Sequence, residues 1–167
     1  GDKLLQDEII IVKKAIALLE QGNPARLLEV FDEDVKILKS LNLLSSKKLL
    51  FVCNVAEDEI NSGNIESKKV LELAKITNAE VINISAQIEV EIALLNSAEE
   101  KQDFLESLDL KETGLNRIIG SSYKLLNLIT FFTSGVTETK AWTVNKLATA
   151  REAAGVIHTD FARGFIA

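Results

Sequence analysis

Two short polar segments stand directly behind apolar runs, and they are the strongest candidates for chemistry in this chain. Asn54-Val55-Ala56-Glu57 follows Leu49-Leu50-Phe51-Val52-Cys53, and Ser85-Ala86-Gln87 follows Glu80 to Ile84. Carboxamide, carboxylate and hydroxyl groups at such places can read a ligand by hydrogen bonding. Other chemistries are poorly provided for. There is no G-x-x-x-x-G-K-[ST] segment, no glycine-rich dinucleotide loop, no C-x-x-C and no H-E-x-x-H, so the sequence has no self-contained means to cradle a triphosphate or hold a metal. The single histidine, His158, precedes Thr159-Asp160, and neighbours in sequence cannot easily orient one another for catalysis, so structural hydrogen bonding in a turn is the expectation. Cys53 reads as a buried small hydrophobe, and Trp142 with Phe131-Phe132 as core rather than as a base-stacking surface. The acidic stretches at Glu66, Glu72, Glu89 and Glu99 read as solvated helix faces.

The elements that must position the two loops follow from periodicity. An apolar run bounded by polar residues at 49–53, a helix with Val70, Leu71, Leu73 and Ala74 inward, and a second apolar run at 80–84 make a βαβ unit with parallel strands, the first buried on both faces. Ligands bind outside the carboxyl ends of such strands, where both polar loops lie. Upstream, Leu4, Leu5, Ile9, Val12, Ile16 and Leu19 give a helix over Asp2 to Glu20, with a local strand over Glu8 to Val12 as the alternative, and Gly22-Asn23-Pro24 stops it. A shorter helix over Asp32 to Leu41 takes Asp32 as N-cap. Downstream, Ser97-Ala98-Glu99-Glu100 is a capping box for a helix containing Phe104, Leu105 and Leu108, and a further helix fits Gly114 to Leu125. Residues 128–133 and 139–144 then read as a hairpin about Ser134-Gly135; Ala148 to Ala154 is a short helix ended by Gly155, and Gly164 to Ala167 is the beginning of a strand.

Composition bounds the rest. The chain has 167 residues, 47% hydrophobic and 26% charged, suited to one ordinary core or two small ones. Its net charge of -6 argues against sequence-independent binding to phosphate backbones over the whole surface. That charge is uneven, with five basic against three acidic side chains from residue 124 onward and a net of -8 before it. One cysteine and no apolar run near 20 residues point to a soluble cytoplasmic protein with no membrane partner. The absence of any methionine suggests a piece of a longer chain.

In GTPase-type α/β domains the first of these loops reads N-K-x-D and the second S-A-x, and the aspartate accepts hydrogen bonds from guanine N1–H and its amino group. Here Asn54 keeps its place, Val55 replaces lysine, and the longer Glu57 replaces aspartate, which relaxes or reverses selection for guanine. Read with Gly114-Leu115-Asn116-Arg117-Ile118-Ile119, Tyr123-Lys124-Leu125-Leu126-Asn127-Leu128, Thr130-Phe131-Phe132-Thr133, Lys140-Ala141-Trp142-Thr143 and the stretch from Ala153 to Phe161, these loops closely resemble the YchF subfamily of Obg-like P-loop NTPases, over nearly the whole chain. One departure is Lys47-Lys48, where family members usually carry Lys-Pro before the strand.

The resemblance implies an α/β fold: the second half of a Ras-like P-loop NTPase domain, part of a helical hairpin inserted in it, and an incomplete β-grasp (TGS) domain. Residues 1–21 would be the returning arm of the hairpin, 22–122 the C-terminal half of the nucleotide-binding domain and 123–167 a partial TGS domain. Asn54, the backbone at Val55, and Glu57 would face the base, and Ser85, Ala86 and Gln87 would form the second base-facing loop. The family hydrolyses ATP and often binds GTP as well. The phosphate loop and magnesium-binding residues would lie upstream of Gly1, in the missing N-terminal half of the same protein, so ATP and Mg2+ belong to the whole protein. This chain alone is then expected to bind ATP weakly and to be inactive. Ribosomes or RNA would be met through the hairpin and TGS domain. The competing reading is a non-catalytic RNA- or ribosome-binding module that uses the mildly basic segment from Lys124 onward.

Overall fold

The computed structural model describes residues 2–166, without the side chains of residues 2–4 and 32. It divides into two compact units, residues 1–101 and 102–167.

The first unit opens with α1, Asp2–Glu20, which is helical through the isoleucine run, so the local-strand alternative is discarded. Its buried side chains are Ile11 and Ala15; of the apolar positions whose spacing marks the helix, Val12 is half-buried and Leu5, Ile9, Ile16 and Leu19 are exposed. This helix is apolar around more than one face, and helical spacing does not say which face is covered. Leu4, of the same series, lies outside the described side chains. Gly22 ends the helix as expected, with φ +78° and its N–H on the Leu19 carbonyl at 2.9 Å. In α2, Asp32–Ser40, the N-cap position falls on Phe31, so Asp32 is the first helical residue; its side chain is outside those described.

The expected βαβ unit is present. Strands β1, Leu50–Asn54, and β2, Glu80–Ile84, pair in parallel in the register Leu50↔Glu80 to Asn54↔Ile84, joined through α3, Ile65–Thr77. This sheet has two strands among the described residues. Consequently β1 is not buried on both faces: Val52 is exposed and Cys53 half-buried, because a two-stranded sheet leaves much of each strand uncovered. On α3, Ala74 and Ser67 are buried while Leu71 and Leu73 are exposed. Arg26 donates from Nε to the Thr77 carbonyl at 2.9 Å, a cation satisfying the end of α3 where the helix dipole favours it.

Directly after β2 comes α4, Ala86–Leu94, so that Ala86 and Gln87, expected in a loop, form its first turn, with Ile88 and Ile92 buried. The capping box before α5, Ala98–Ser107, is formed: Ser97 Oγ accepts the Glu100 N–H at 3.0 Å and Glu100 Oε2 accepts the Ser97 N–H at 3.2 Å.

In the second unit, α6, Gly114–Leu125, has the expected bounds and is capped by Thr113, whose Oγ1 accepts the Asn116 N–H at 3.1 Å. The hairpin β3, Leu128–Ser134, and β4, Thr139–Asn145, is antiparallel. Phe131 pairs with Trp142, and Phe132 with Ala141. Successive side chains point to opposite faces, so Phe131 and Trp142 are half-buried while Phe132, expected in the core, is 72% exposed. Trp142 Nε1 donates to Thr133 Oγ1 at 2.8 Å, and Lys140 Nζ stands 4.2 Å over its ring.

Helix α7, Ala150–Ile157, runs through Gly155 instead of ending there. A Cβ on Gly155 would stand 3.1 Å from the Ala162 Cβ in α8, Thr159–Arg163, so this glycine serves the close approach of the two helices. His158 joins them, its Nδ1 accepting the Asp160 N–H at 3.2 Å, which is the structural role expected of it. No strand begins over residues 164–166, and Ala167 lies outside the described residues.

Candidate functional site

The parallel register sets the site. Because Asn54 lies opposite Ile84, the loops behind β1 and β2 leave the sheet side by side at its carboxyl edge. The ladder continues one bond further, with the Val55 N–H donated to the Ile84 carbonyl at 2.8 Å, and the Val55 side chain is buried. Asn54 Oδ1 then accepts the Ala86 N–H at 2.9 Å. That bond joins the two candidate loops and satisfies one of the free N–H groups at the start of α4. Ser85, at the N-cap position, makes no side-chain capping bond and is buried, so the neighbouring Asn54 acts as the cap in its place. Ala86 and Gln87 are exposed in the first turn of α4, with Gln87 Nε2 donating to Glu91 Oε1 at 3.2 Å.

Behind Asn54 the chain enters a tight 3-10 turn, Glu57–Glu59, with Glu57 exposed at its start. Glu59 Oε2 accepts the Ala56 N–H at 3.1 Å and the Asn64 Nδ2 at 2.9 Å. Asn64 is in turn the N-cap of α3: its Oδ1 accepts the Ser67 N–H at 2.9 Å, while its own N–H is given to Ser67 Oγ at 2.8 Å. Gly63, at φ +67°, closes this knot, and a Cβ there would stand 2.6 Å from Ser67 Oγ. Asn83 of β2 reaches the Ile60 carbonyl at 3.5 Å. The turn is thus tied to both the sheet and α3.

All six residues expected at the site lie on these two joined segments. Val55 and Ser85 turn their side chains inward; Asn54, Glu57, Ala86 and Gln87 are exposed. Four residues that hold the loop were not singled out from sequence: Glu59, Gly63, Asn64 and Ser67. The signal was present as Gly-Asn-x-x-Ser ahead of an apolar helical run, a capping pattern. The chemistry available is hydrogen bonding by a carboxylate and carboxamides at a rim that also carries Asp58, a poor environment for phosphate and a suitable one for the donor edge of a base. Among the described residues no group of three His, Cys, Asp or Glu is placed to hold a metal.

Comparison with known proteins decides the family. The chain is 48% identical over 167 residues to the ribosome-binding ATPase YchF of Bacillus subtilis, an alignment spanning 99% of this chain and 45% of that protein. The chain belongs to the YchF family. It is 43% identical to the Haemophilus influenzae ribosome-binding ATPase YchF, again over 99% of this chain and 45% of the relative. Residues 128–167 match the family YchF-GTPase_C, described as "Protein of unknown function (DUF933)". Among solved structures, the YchF GTPase of Schizosaccharomyces pombe superposes with a TM-score of 0.85 at 31% identity, covering 98% of this chain and 44% of that one. The chain therefore spans a little under half the length of the YchF relatives it matches. The mixed α/β architecture agrees with this likeness. Among the described residues no helix is long and apolar enough to cross a membrane.

Proposed function

We propose that this chain supplies the base-recognition loops of a ribosome-associated, cytoplasmic nucleotide-binding protein that binds and hydrolyses ATP and accepts GTP as a second nucleotide. The observation that carries this reading is the hydrogen bond donated by the Ala86 N–H to Asn54 Oδ1, which brings the N-x-x-E and S-A-Q segments into one rim at the end of a parallel sheet. The names of the relatives, ribosome-binding ATPase and GTPase, support it. Glu57 takes the place at which an N-K-x-D loop keeps its guanine-reading aspartate; Ser85, Ala86 and Gln87 form the opposite wall. Phosphate and Mg2+ contacts are assigned to residues outside this chain, which alone binds ATP weakly and does not turn it over. The domain reading proposed with it is a hairpin arm at 1–21, the second half of a Ras-like nucleotide domain at 22–122 and part of a β-grasp TGS domain at 123–167, the first and last meeting the ribosome.

The test uses the whole protein. Glu57→Asp shortens the carboxylate by one methylene towards the guanine-reading geometry, and the ratio of ATP to GTP affinity is expected to fall about tenfold, as for one base-directed hydrogen-bond pair. An unchanged ratio in equilibrium binding with both nucleotides would remove Glu57 from base recognition.

A second reading, an RNA-binding module without catalysis, is favoured by Lys140 over Trp142 and the exposed Phe132 on the same hairpin. The two are separable, since only the first makes ribosome binding respond to the nucleotide present.

A further inference from the structure

We infer that Glu59, two residues beyond the N-x-x-E segment, is the positioning residue that holds Glu57 in its base-reading place. The inference rests on the reading of Glu57 given above.

A short loop with exposed polar side chains has no packing to hold it, so its conformation is set by the hydrogen bonds it makes. In this loop one atom serves two anchors. Glu59 Oε2 accepts from the Ala56 backbone, immediately before Glu57, and from the side chain of Asn64, the cap of α3. Glu59 thereby ties the peptide that leads into Glu57 to the first turn of the helix beneath it. Backbone bonds close the turn itself, with the Glu59 N–H on the Ala56 carbonyl at 3.1 Å and the Ile60 N–H on the Glu57 carbonyl at 3.4 Å; outside it, the Val55 N–H on Ile84 holds the strand side and Asn54 Oδ1, accepting from Ala86, holds the facing loop. Between Val55 and Ile60, the Ala56-to-Glu59 contact is the side-chain bond that fixes the turn's entry. Glu59 is half-buried and Glu57 exposed, as expected if the first holds and the second reads. A carboxylate is suited to the task, since it accepts from two donors and bonds to a charged acceptor are stronger than neutral ones. Asp at this position would be one methylene short of both donors.

The experiment measures ATP and GTP affinities of the whole protein, with inorganic tripolyphosphate as a probe that has no base. Glu59→Ala is expected to lower the ATP-to-GTP affinity ratio about tenfold and to leave tripolyphosphate binding unchanged, while Glu59→Gln, whose amide oxygen still accepts, retains most of the preference. Glu57→Ala should lower the ratio similarly, and the double variant no further, because the two residues act in series. If Glu59→Ala fails to fold, Asn64→Ser keeps a capping oxygen for α3 but deletes the donor to Glu59, and a smaller loss in the same ratio is expected. If Glu57→Ala changes the ratio and neither Glu59→Ala nor Asn64→Ser does, the positioning role is overturned. If Glu57→Ala itself leaves the ratio unchanged, the reading of Glu57 fails instead. Equal losses for ATP, GTP and tripolyphosphate would mark Glu59 as a structural support only and likewise overturn the inference.

Discussion

Gly63 shows how much of the candidate site depends on backbone conformation at one residue. Its φ of +67° lies in the left-handed region, and the space beside it is taken by Ser67 Oγ, itself bonded to the Asn64 N–H and carbonyl. A methyl group would both strain the backbone and push Ser67 out of the α3 cap. Gly63→Ala is expected to destabilise the first unit by about 2 kcal/mol, read as a lowered midpoint in chemical denaturation. A loss below about 0.5 kcal/mol would mean that Ser67 moves aside freely. At this scale the site residues could be found in the sequence because they stand immediately behind apolar runs, where the end of a strand exposes polar groups. Their division of labour was not legible. Whether Asn54 reads a ligand or caps a helix depends on a neighbour 32 positions away, and spacing along one segment carries no information about that distance. Glu59 escaped notice for the same reason, as one acid among Glu57, Asp58 and Glu59 whose value lies in what its oxygen reaches.

Elements were legible where a local signal defined both ends. The hairpin, β1, β2 and α6 have local patterns that tertiary structure left in place, whereas α4 and α7 needed more than local pattern. Helix α4 carries a buried pair at Ile88 and Ile92 but starts at a cap borrowed from another loop. Helix α7 passes through a glycine that ordinarily marks a helix end, because α8 must approach it there. The start of α7 is more conventional: Glu152 Oε2 accepts the Thr149 N–H at 2.7 Å and its hydroxyl at 3.0 Å, and Thr149 Oγ1 accepts the Glu152 N–H at 3.3 Å. The Thr149 backbone N–H first, and its hydroxyl second, lower the Glu152 carboxyl below the usual carboxylate range. A carboxylate whose folded pKa is depressed stabilises the helix above its unfolded pKa and loses that contribution as pH falls through the lowered value. The Thr149 amide resonance should therefore titrate on acidification with a midpoint below that of an ordinary glutamate, and should stay flat in Glu152→Gln. A midpoint at the ordinary value would mean the capping box is not populated in solution.

For the molecule as a whole, charge separates what the two units can bind. The first unit, residues 1–101, carries the entire net charge of -6, and residues 102–167 balance to zero with their basic side chains concentrated after residue 123. Polyanion binding by the first unit would work against its own field, so on the reading that this chain meets ribosomes any phosphate contact would be made by the second, where Lys140, Lys146, Arg151 and Arg163 are exposed, and the arm at 1–21 would meet a surface other than phosphate. Five basic residues from Lys124 onward limit the number of phosphates that can be neutralised, and hence the salt dependence. If all five took part, log Kd for ribosomes against log salt would change with a slope of magnitude about 4. Lys140→Glu with Lys146→Glu should weaken binding at low salt and reduce that slope by about 2, whereas reversing Lys69 and Lys75, which pair with Glu66 and Glu72 on α3, should leave it unaltered. A slope near zero in sedimentation with ribosomes at graded salt would show that contact is made without this basic segment. The apolar stripe of α1, with Leu5, Ile9, Ile16 and Leu19 exposed, would then be the surface to mutate next.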